Sequence, residues 1–274
     1  MEENVVYHAK ALELLKSLPD ESVDMIFTDP PFNTRRVRKS SKGLSYIDSR
    51  DDYYNWLKEH IVECHRVLKK TGTMYLHLNE KASSYARVLI MDPVFGERNH
   101  LNTIIWSFDY GGRGKGKFAA KHEVILSYTK DMKSHVFNWE DIDRIPYMAP
   151  GLQKDPAKAA RGKVPTDVWW MSIVGTQAKE RVGWPTQKPL KLVQRTIVAS
   201  SPPDGIILDP FGGSGTTAVA ATLAGRSFII GDEHSGAIDV MRDRLQSLAI
   251  PFKVRDLYSD AEDIQPSKST NTIP

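Results

Sequence analysis

A three-layer α/β fold, a mostly parallel sheet with helices on both faces, is predicted by three features of the 274-residue sequence. Short apolar runs alternate with amphipathic stretches, the pattern of strands joined by crossover helices. At 206–224 an apolar run passes through a glycine-rich turn into a stretch of small residues, the strand–turn–helix unit of such sheets. A content of 41% hydrophobic and 26% charged residues over this length is enough for a sizeable core. The same composition excludes collagen-like, wholly disordered and disulfide-scaffold chains.

In chain order, strands are expected at 5–7 (VVY), 23–28 (VDMIFT), 73–78 (TMYLHL), 103–108 (TIIWSF), 123–127 (EVILS), 206–208 (IIL) and 228–231 (FIIG), all rich in β-branched or aromatic residues. Helices are expected at 12–18, 53–68, 82–91, 190–200, 216–224 and 237–248. In the second of these, Tyr53, Trp56, Leu57, His60, Ile61, Cys64, Val67 and Leu68 describe one buried face. The run Lys69-Lys70-Thr71-Gly72 behind it reads as a helix stop, with cations in the last turn and a glycine beyond. Two stretches are irregular, 33–50 after a Pro-Pro turn and about 110–184, and a long irregular insertion is either functional or disordered. The tail from Ser259 is expected to be disordered.

The single cysteine, Cys64, cannot form an internal disulfide or a cysteine metal cluster, and it reads as helix packing in a reducing cytosol. No apolar run has membrane-spanning length and the N-terminus has no signal-peptide pattern. A net charge of +3 permits a nucleic-acid partner without establishing one. No histidine spacing supports a metal site, and His77 on its strand reads as structural.

Two motifs lie at the ends of expected strands, where α/β sheets bind ligands. The first is Asp29-Pro30-Pro31-Phe32. Its prolines fix φ and lack N–H groups, so their carbonyls stay available as acceptors beside the Asp29 carboxylate. Hydrogen bonds from a planar base's amino group to Asp29 and the Pro30 carbonyl would localise the nitrogen lone pair for attack on a methyl group, with Phe32 stacked on the base. The second is Asp209-Pro210-Phe211-Gly212-Gly213-Ser214-Gly215-Thr216-Thr217. It lacks the Gly-Lys-Ser/Thr of a P-loop and the strict dinucleotide spacing. Asp209 suits a cation, and Asp232 or Glu233 after the next strand can accept both hydroxyls of a ribose. An ammonium group and a ribose without phosphate point to S-adenosylmethionine.

These motifs make the chain resemble the β-class DNA amino-methyltransferases, in which the catalytic motif precedes the cofactor motif. DPPF is similar to their D-P-P-Y/F motif, and DPFGGSGTT to their F-x-G-x-G loop. Trp184-Pro185-Thr186-Gln187-Lys188-Pro189-Leu190 is similar to H-P-T-Q-K-P, with Trp184 where His is usual. The resemblance implies a Rossmann-like methyltransferase fold of about seven strands, base flipping and an inserted target-recognition region. It assigns 1–110 to a catalytic half, 111–180 to the insertion and 181–258 to a cofactor half, with 259–274 as tail. It implies that Asp29, Pro30, Pro31 and Phe32 hold the flipped base. It also implies that Asp209, Pro210, Phe211, Gly212, Gly213, Gly215, Thr216, Asp232 and Glu233 bind the cofactor, with Thr186 and Lys188 at its methionine end. Position at the strand end favours Asp232 over Glu233 for the ribose. The family's usual Gly-Asp is replaced by Ala9-Lys10, and Lys10 cannot accept a hydrogen bond from the cofactor adenine.

Arg35, Arg36, Arg38, Lys39 and Lys42 follow DPPF with no acid before Asp48, and Arg113, Lys115 and Lys117 stand in GGRGKGK. Both segments suit DNA phosphates better than base edges. Trp169-Trp170 read as core or interface packing for the insertion. The function expected is site-specific transfer of a methyl group to adenine N6 in DNA, without a metal. Such enzymes are commonly homodimeric, cytoplasmic, of bacterial, archaeal or phage origin, and tied to restriction–modification. Cytosine N4 methylation is the near alternative, RNA or protein-glutamine methylation a further one, and a silent DNA-binding regulator the alternative from another class.

Overall fold

The computed structural model describes residues 1–39, 45–112 and 114–258, so Lys42, Arg113 and the tail from Ser259 lie outside the described residues. The chain runs β1 (Val5–His8), α1 (Ala11–Ser17), β2 (Val23–Thr28), β3 (Arg36–Lys39), β4 (Ser45–Asp48), α2 (Tyr53–Val67) and β5 (Leu68–Asn79). It continues through α3 (Glu80–Ala86), α4 (Asp92–Phe95), β6 (His100–Ser107), β7 (His122–Thr129), α5 (Pro156–Arg161) and β8 (Val168–Trp170). The last part holds α6 (Leu190–Ser200), β9 (Ile206–Asp209), α7 (Thr216–Leu223), β10 (Ser227–Asp232), α8 (Ser235–Ser247) and β11 (Lys253–Asp256).

Nine strands form one sheet in the order β11-β1-β10-β9-β2-β5-β7-β6-β8. Only β7 runs against its neighbours. The expected seven strands are all present, and β11 and β8 extend the two edges; β11 (KVRD) is polar, and β8 (VWW) is only three residues long within the irregular stretch. All six residues of β2 are buried, as a central strand covered on both faces requires. On one face Leu192, Val193, Ile197, Val219 and Met241 of α6, α7 and α8 pack on Met25, Phe27, Ile207 and Ile230. On the other, Leu14, Leu57, Ile61, Cys64 and Ile90 pack on Ile26, Leu76, Leu208 and Ile229. Successive residues of β2, Met25, Ile26 and Phe27, thus serve opposite cores.

Three local expectations are corrected. The helix stop at Lys69–Gly72 is absent: α2 ends at Val67, and Leu68 already pairs with Val23 of β2. Lys69 Nζ reaches both oxygens of Asp24 at 2.9 Å, and Gly72 sits within β5, where a Cβ would lie 2.8 Å from the Asp24 carbonyl. Strand pairing and an ion pair therefore win over the capping signal. The expected helix over 82–91 is divided between α3 and a π-helical turn over Arg87–Met91, and α4 follows with Pro93 in its first turn. The stretch 33–50 is not irregular throughout, because β3 and β4 form an antiparallel hairpin. Its anchor is the buried Asp48, whose carboxylate accepts from the Asn33 N–H at 2.7 Å, the Thr34 N–H at 3.1 Å and the Thr34 hydroxyl at 2.6 Å. No periodicity announces such an anchor.

The chain leaves β9 for α7 on one face and β2 for α2 on the other, which opens a crevice between the carboxyl ends of these adjacent strands. Among the described residues, no helix is long and apolar enough to cross a membrane.

Candidate active site

The crevice lies between the two motif-bearing strand ends. Asp29 follows β2 directly, and its carboxylate sits between two basic groups. Lys188 Nζ donates to Oδ2 at 2.5 Å, and His77 Nδ1 approaches Oδ1 at 3.2 Å. The other ring nitrogen of His77, Nε2, lies 3.0 Å from Glu123 Oε2, so a chain of four ionisable groups crosses the site. Burial alone would raise the Asp29 pKa, but Lys188 and His77 more than offset this and hold the carboxyl below its ordinary range. His77 is fully buried; desolvation lowers its pKa, yet the Asp29 and Glu123 contacts raise it further, and the net direction is up. Lys188 Nζ also donates to the Thr186 carbonyl at 3.0 Å and stands 5.3 Å over the Phe32 ring.

Across the crevice, Asp209 ends β9 in the base of the glycine loop. The Thr217 hydroxyl donates to Oδ2 at 2.6 Å and the Phe211 N–H to Oδ1 at 3.1 Å. No cationic side chain among the described residues pairs with it, and burial pushes its pKa up to about 7. The loop presses tightly on the sheet: a Cβ on Gly212 would lie 2.3 Å from Ile230 Cγ1. Gly213 adopts φ +48°, and a Cβ there would lie 2.8 Å from Trp184 Nε1. Trp184 thus packs under the loop and is buried. The buried Arg244 of α8 donates to the Ser214 carbonyl at 3.0 Å and the Thr216 hydroxyl at 2.9 Å, tying α8 to this turn.

Asp232 ends β10, and its oxygens accept the N–H groups of Gly213 and His234, each at 2.9 Å. Burial raises its pKa as well. Glu233 is half-exposed, 3.9 Å from Arg50, whose guanidinium lies 4.3 Å over the Trp56 ring. Together these groups line a cavity of about 630 Å³. Its walls include Asp29, Pro31, Thr186, Lys188, Asp209, Pro210, Phe211, Gly212, Gly213, Thr216, Asp232 and Glu233, together with Lys10, Arg50, Trp56, His60 and Trp184. Pro30 is buried beside it, Phe32 meets the His77 ring edge-on at 5.6 Å, and Gly215 caps α7 with φ +72°. Lys10 points its ammonium toward Glu13, 3.6 Å away.

The residues expected at the two motifs therefore meet in one crevice. His77 and Glu123 are the members that sequence reasoning missed. A signal existed for His77: Thr28 of β2 pairs with Leu76 of β5, so His77 follows in register beside Asp29. Knowing that pairing requires the strand order. Trp56 and His60 were legible only as part of a helix face, and Arg50 only as the end of an irregular stretch. Trp169 is buried and donates to the Thr166 carbonyl at 2.6 Å, in keeping with core packing, whereas Trp170 is 75% exposed and is not part of the core.

The basic segments leave the same, carboxyl-end side of the sheet. Arg35 and Arg36 are exposed at the start of the hairpin, and Lys39 ends β3. Arg38 is half-buried, with Nη2 3.2 Å from the Thr34 hydroxyl. Lys115 and Lys117 are exposed in the β6–β7 connection, which leaves the carboxyl end of β6.

Comparison with known proteins shows the family. The sequence matches the DNA methylase family of N6/N4 type over residues 23–243. It is 38% identical over 237 residues to the DNA adenine methyltransferase YhdJ of Escherichia coli, an alignment spanning 83% of this chain and 78% of that one. It is 34% identical over 241 residues to the Type II methyltransferase M.HpaI of Haemophilus parainfluenzae, spanning 87% and 73%. The fold is similar to that of the cytosine-N4-specific PvuII DNA methyltransferase, with a TM-score of 0.64 at 16% identity over 92% of this chain and 94% of that one.

Proposed function

The chain belongs to the DNA methylase family, and from that premise we propose that it methylates the N6 nitrogen of adenine in DNA, using S-adenosylmethionine. The observation that carries this reading is the pairing of Asp29 and Asp209 across the crevice, one carboxylate held ionised between cations and the other buried without one. When bound, S-adenosylmethionine supplies a methyl group made electrophilic by a positively charged sulfur. The residues fit that group, since a buried acid without a cation suits its ammonium end. Asp209 takes that end, with Phe211 and the backbone of Gly212 and Gly213 as walls and Thr216 and Thr186 nearby. Both Asp232 oxygens already accept backbone N–H groups, so Asp232 holds the loop and Glu233 has more free acceptor capacity for the ribose hydroxyls.

At the other side, Asp29 Oδ2 and the Pro30 carbonyl receive the N–H groups of the flipped base, and the amine shares or replaces the contact that Lys188 now makes. Those hydrogen bonds draw the lone pair out of the ring system, which is electrostatic preorganisation. Pro31 and Phe32 shape the base pocket. Flipping costs a few kcal/mol, offset by stacking and phosphate contacts. Arg35, Arg36, Arg38, Lys39, Lys115 and Lys117, with Lys42 and Arg113, supply those contacts. The acid in D-P-P-F and the likeness to an adenine methyltransferase support adenine over cytosine. We also propose a cytoplasmic homodimer; the exposed Tyr85, Val88 and Leu89 on one helical stretch support an interface.

The test is methyl transfer to unmethylated genomic DNA followed by nucleoside mass spectrometry. N6-methyladenine from the wild type and none from Asp29→Ala is the expected result. N4-methylcytosine would keep the site and overturn the base, and absence of any methylated nucleoside would overturn the activity on DNA.

A further inference from the structure

We propose that His77, with Glu123 behind it, is a positioning residue for Asp29, holding Oδ1 so that Oδ2 alone faces the amine to be methylated. The inference rests on the reading of Asp29 as the group that receives this amine. Both ring nitrogens of His77 face carboxylates, Nδ1 toward Asp29 at 3.2 Å and Nε2 toward Glu123 at 3.0 Å. An imidazole between two acids is best satisfied with a hydrogen on each nitrogen. Two carboxylates are then balanced by two cations, His77 and Lys188, in a site otherwise walled by Phe27, Phe32 and Trp106.

Strand register produces this arrangement. His77 lies one step beyond the Thr28–Leu76 pair, beside Asp29, and Glu123 is diagonal to it because His77 opposes Ile125 in the β5–β7 ladder. His77 and Glu123 lie in paired strands and Asp29 directly follows a third, so their relative placement is rigid. Lys188, by contrast, reaches Asp29 on a long side chain from the segment before α6. A carboxylate turns easily about its last torsion, and one flexible partner does not fix its plane. A second, rigid partner on the other oxygen does.

Stability gives no reason for the network, because buried ion pairs commonly stabilise a core no more than apolar residues of the same volume. The charged groups facing His77 are Asp29 from the end of β2, Glu123 from β7 and Lys188 from the segment before α6; Trp106 of β6 and Phe32 present neutral rings. Loss of the imidazole leaves Asp29 with one cationic neighbour and raises its pKa. Loss of the Glu123 charge lowers the pKa of His77.

Single-turnover methylation of unmethylated genomic DNA by the full chain tests this, with wild type, Asp29→Ala, His77→Asn and Glu123→Gln measured across pH. His77→Asn is expected to slow transfer about a hundredfold, to leave calorimetric S-adenosylmethionine affinity within about twofold, and to move the acid limb of the rate profile to higher pH. Glu123→Gln is expected to move the alkaline limb to lower pH with a smaller loss below it. Because Glu123 is partly exposed, this second variant decides the matter if His77→Asn does not fold. Wild-type rates and limbs in the folded variants, with Asp29→Ala inactive, would overturn the positioning role and keep the site. Full activity of Asp29→Ala would instead overturn the reading of the site itself.

Discussion

Asp209 pairs with no cation among the described residues, and its carboxyl is pushed from an ordinary 3.8 to about 7 by burial. Between those values the folded protein holds a proton that the unfolded chain has released, so this group's stabilising contribution is full below about pH 4 and is lost as pH rises toward 7. Thermal melts of the cofactor-free protein should therefore show a decline over that window that Asp209→Asn reduces, the buried Asp232 supplying a remaining part. Cofactor affinity should run the opposite way, strengthening as Asp209 ionises, and Asp209→Asn should weaken it more than tenfold at pH 8 by calorimetry. Lys10 offers a complementary test. If the family's acid at that position receives the cofactor's adenine amine, Lys10→Asp adds one acceptor at the cavity edge and should tighten binding up to about tenfold.

Among the elements, the glycine loop and the β3–β4 hairpin are held by different means. The loop depends on the absence of side chains. Gly212→Ala drives a methyl group into Ile230 and should cost about 1–3 kcal/mol of stability, with loss of cofactor binding, measured by denaturant unfolding and calorimetry. The hairpin hangs on one buried acid. Asp48→Ala leaves the Asn33 and Thr34 N–H groups without their acceptor and loosens the turn that follows Phe32. DNA affinity, read by fluorescence anisotropy, should fall, while cofactor affinity stays near wild type because the glycine loop is untouched. Equal loss of both would show that the hairpin supports the whole crevice.

For the whole molecule, the sheet brings Asp29, Asp209 and Asp232 together at the carboxyl ends of its inner strands, and on that side the connections after β2 and β6 carry the basic residues. Phosphate contact by those connections should make DNA binding steeply salt-dependent. Replacing Lys115 and Lys117 together by Ala should reduce the slope of log K against log salt by about 1–2, equally on unrelated duplexes. A change in sequence preference instead would mean that the loop reads bases.

The sequence by itself determined the layered sheet, most of its strands and both motif-bearing turns. Each of these is written locally, as an apolar run, a Pro-Pro turn or a glycine cluster that means the same thing in any neighbourhood. It also named the family, because three motifs stand in a characteristic order. The tertiary structure alone decided what lies beside what. The partnership of Asp29 with His77 and Glu123 depends on the register of three strands, and Lys188 meets Asp29 from 159 residues away. Lys69 joins a strand in place of a helix end because Asp24 is there to receive it. A side chain's charge state and partner are set by what surrounds it in space, and spatial neighbours distant in sequence leave no periodic trace along the chain.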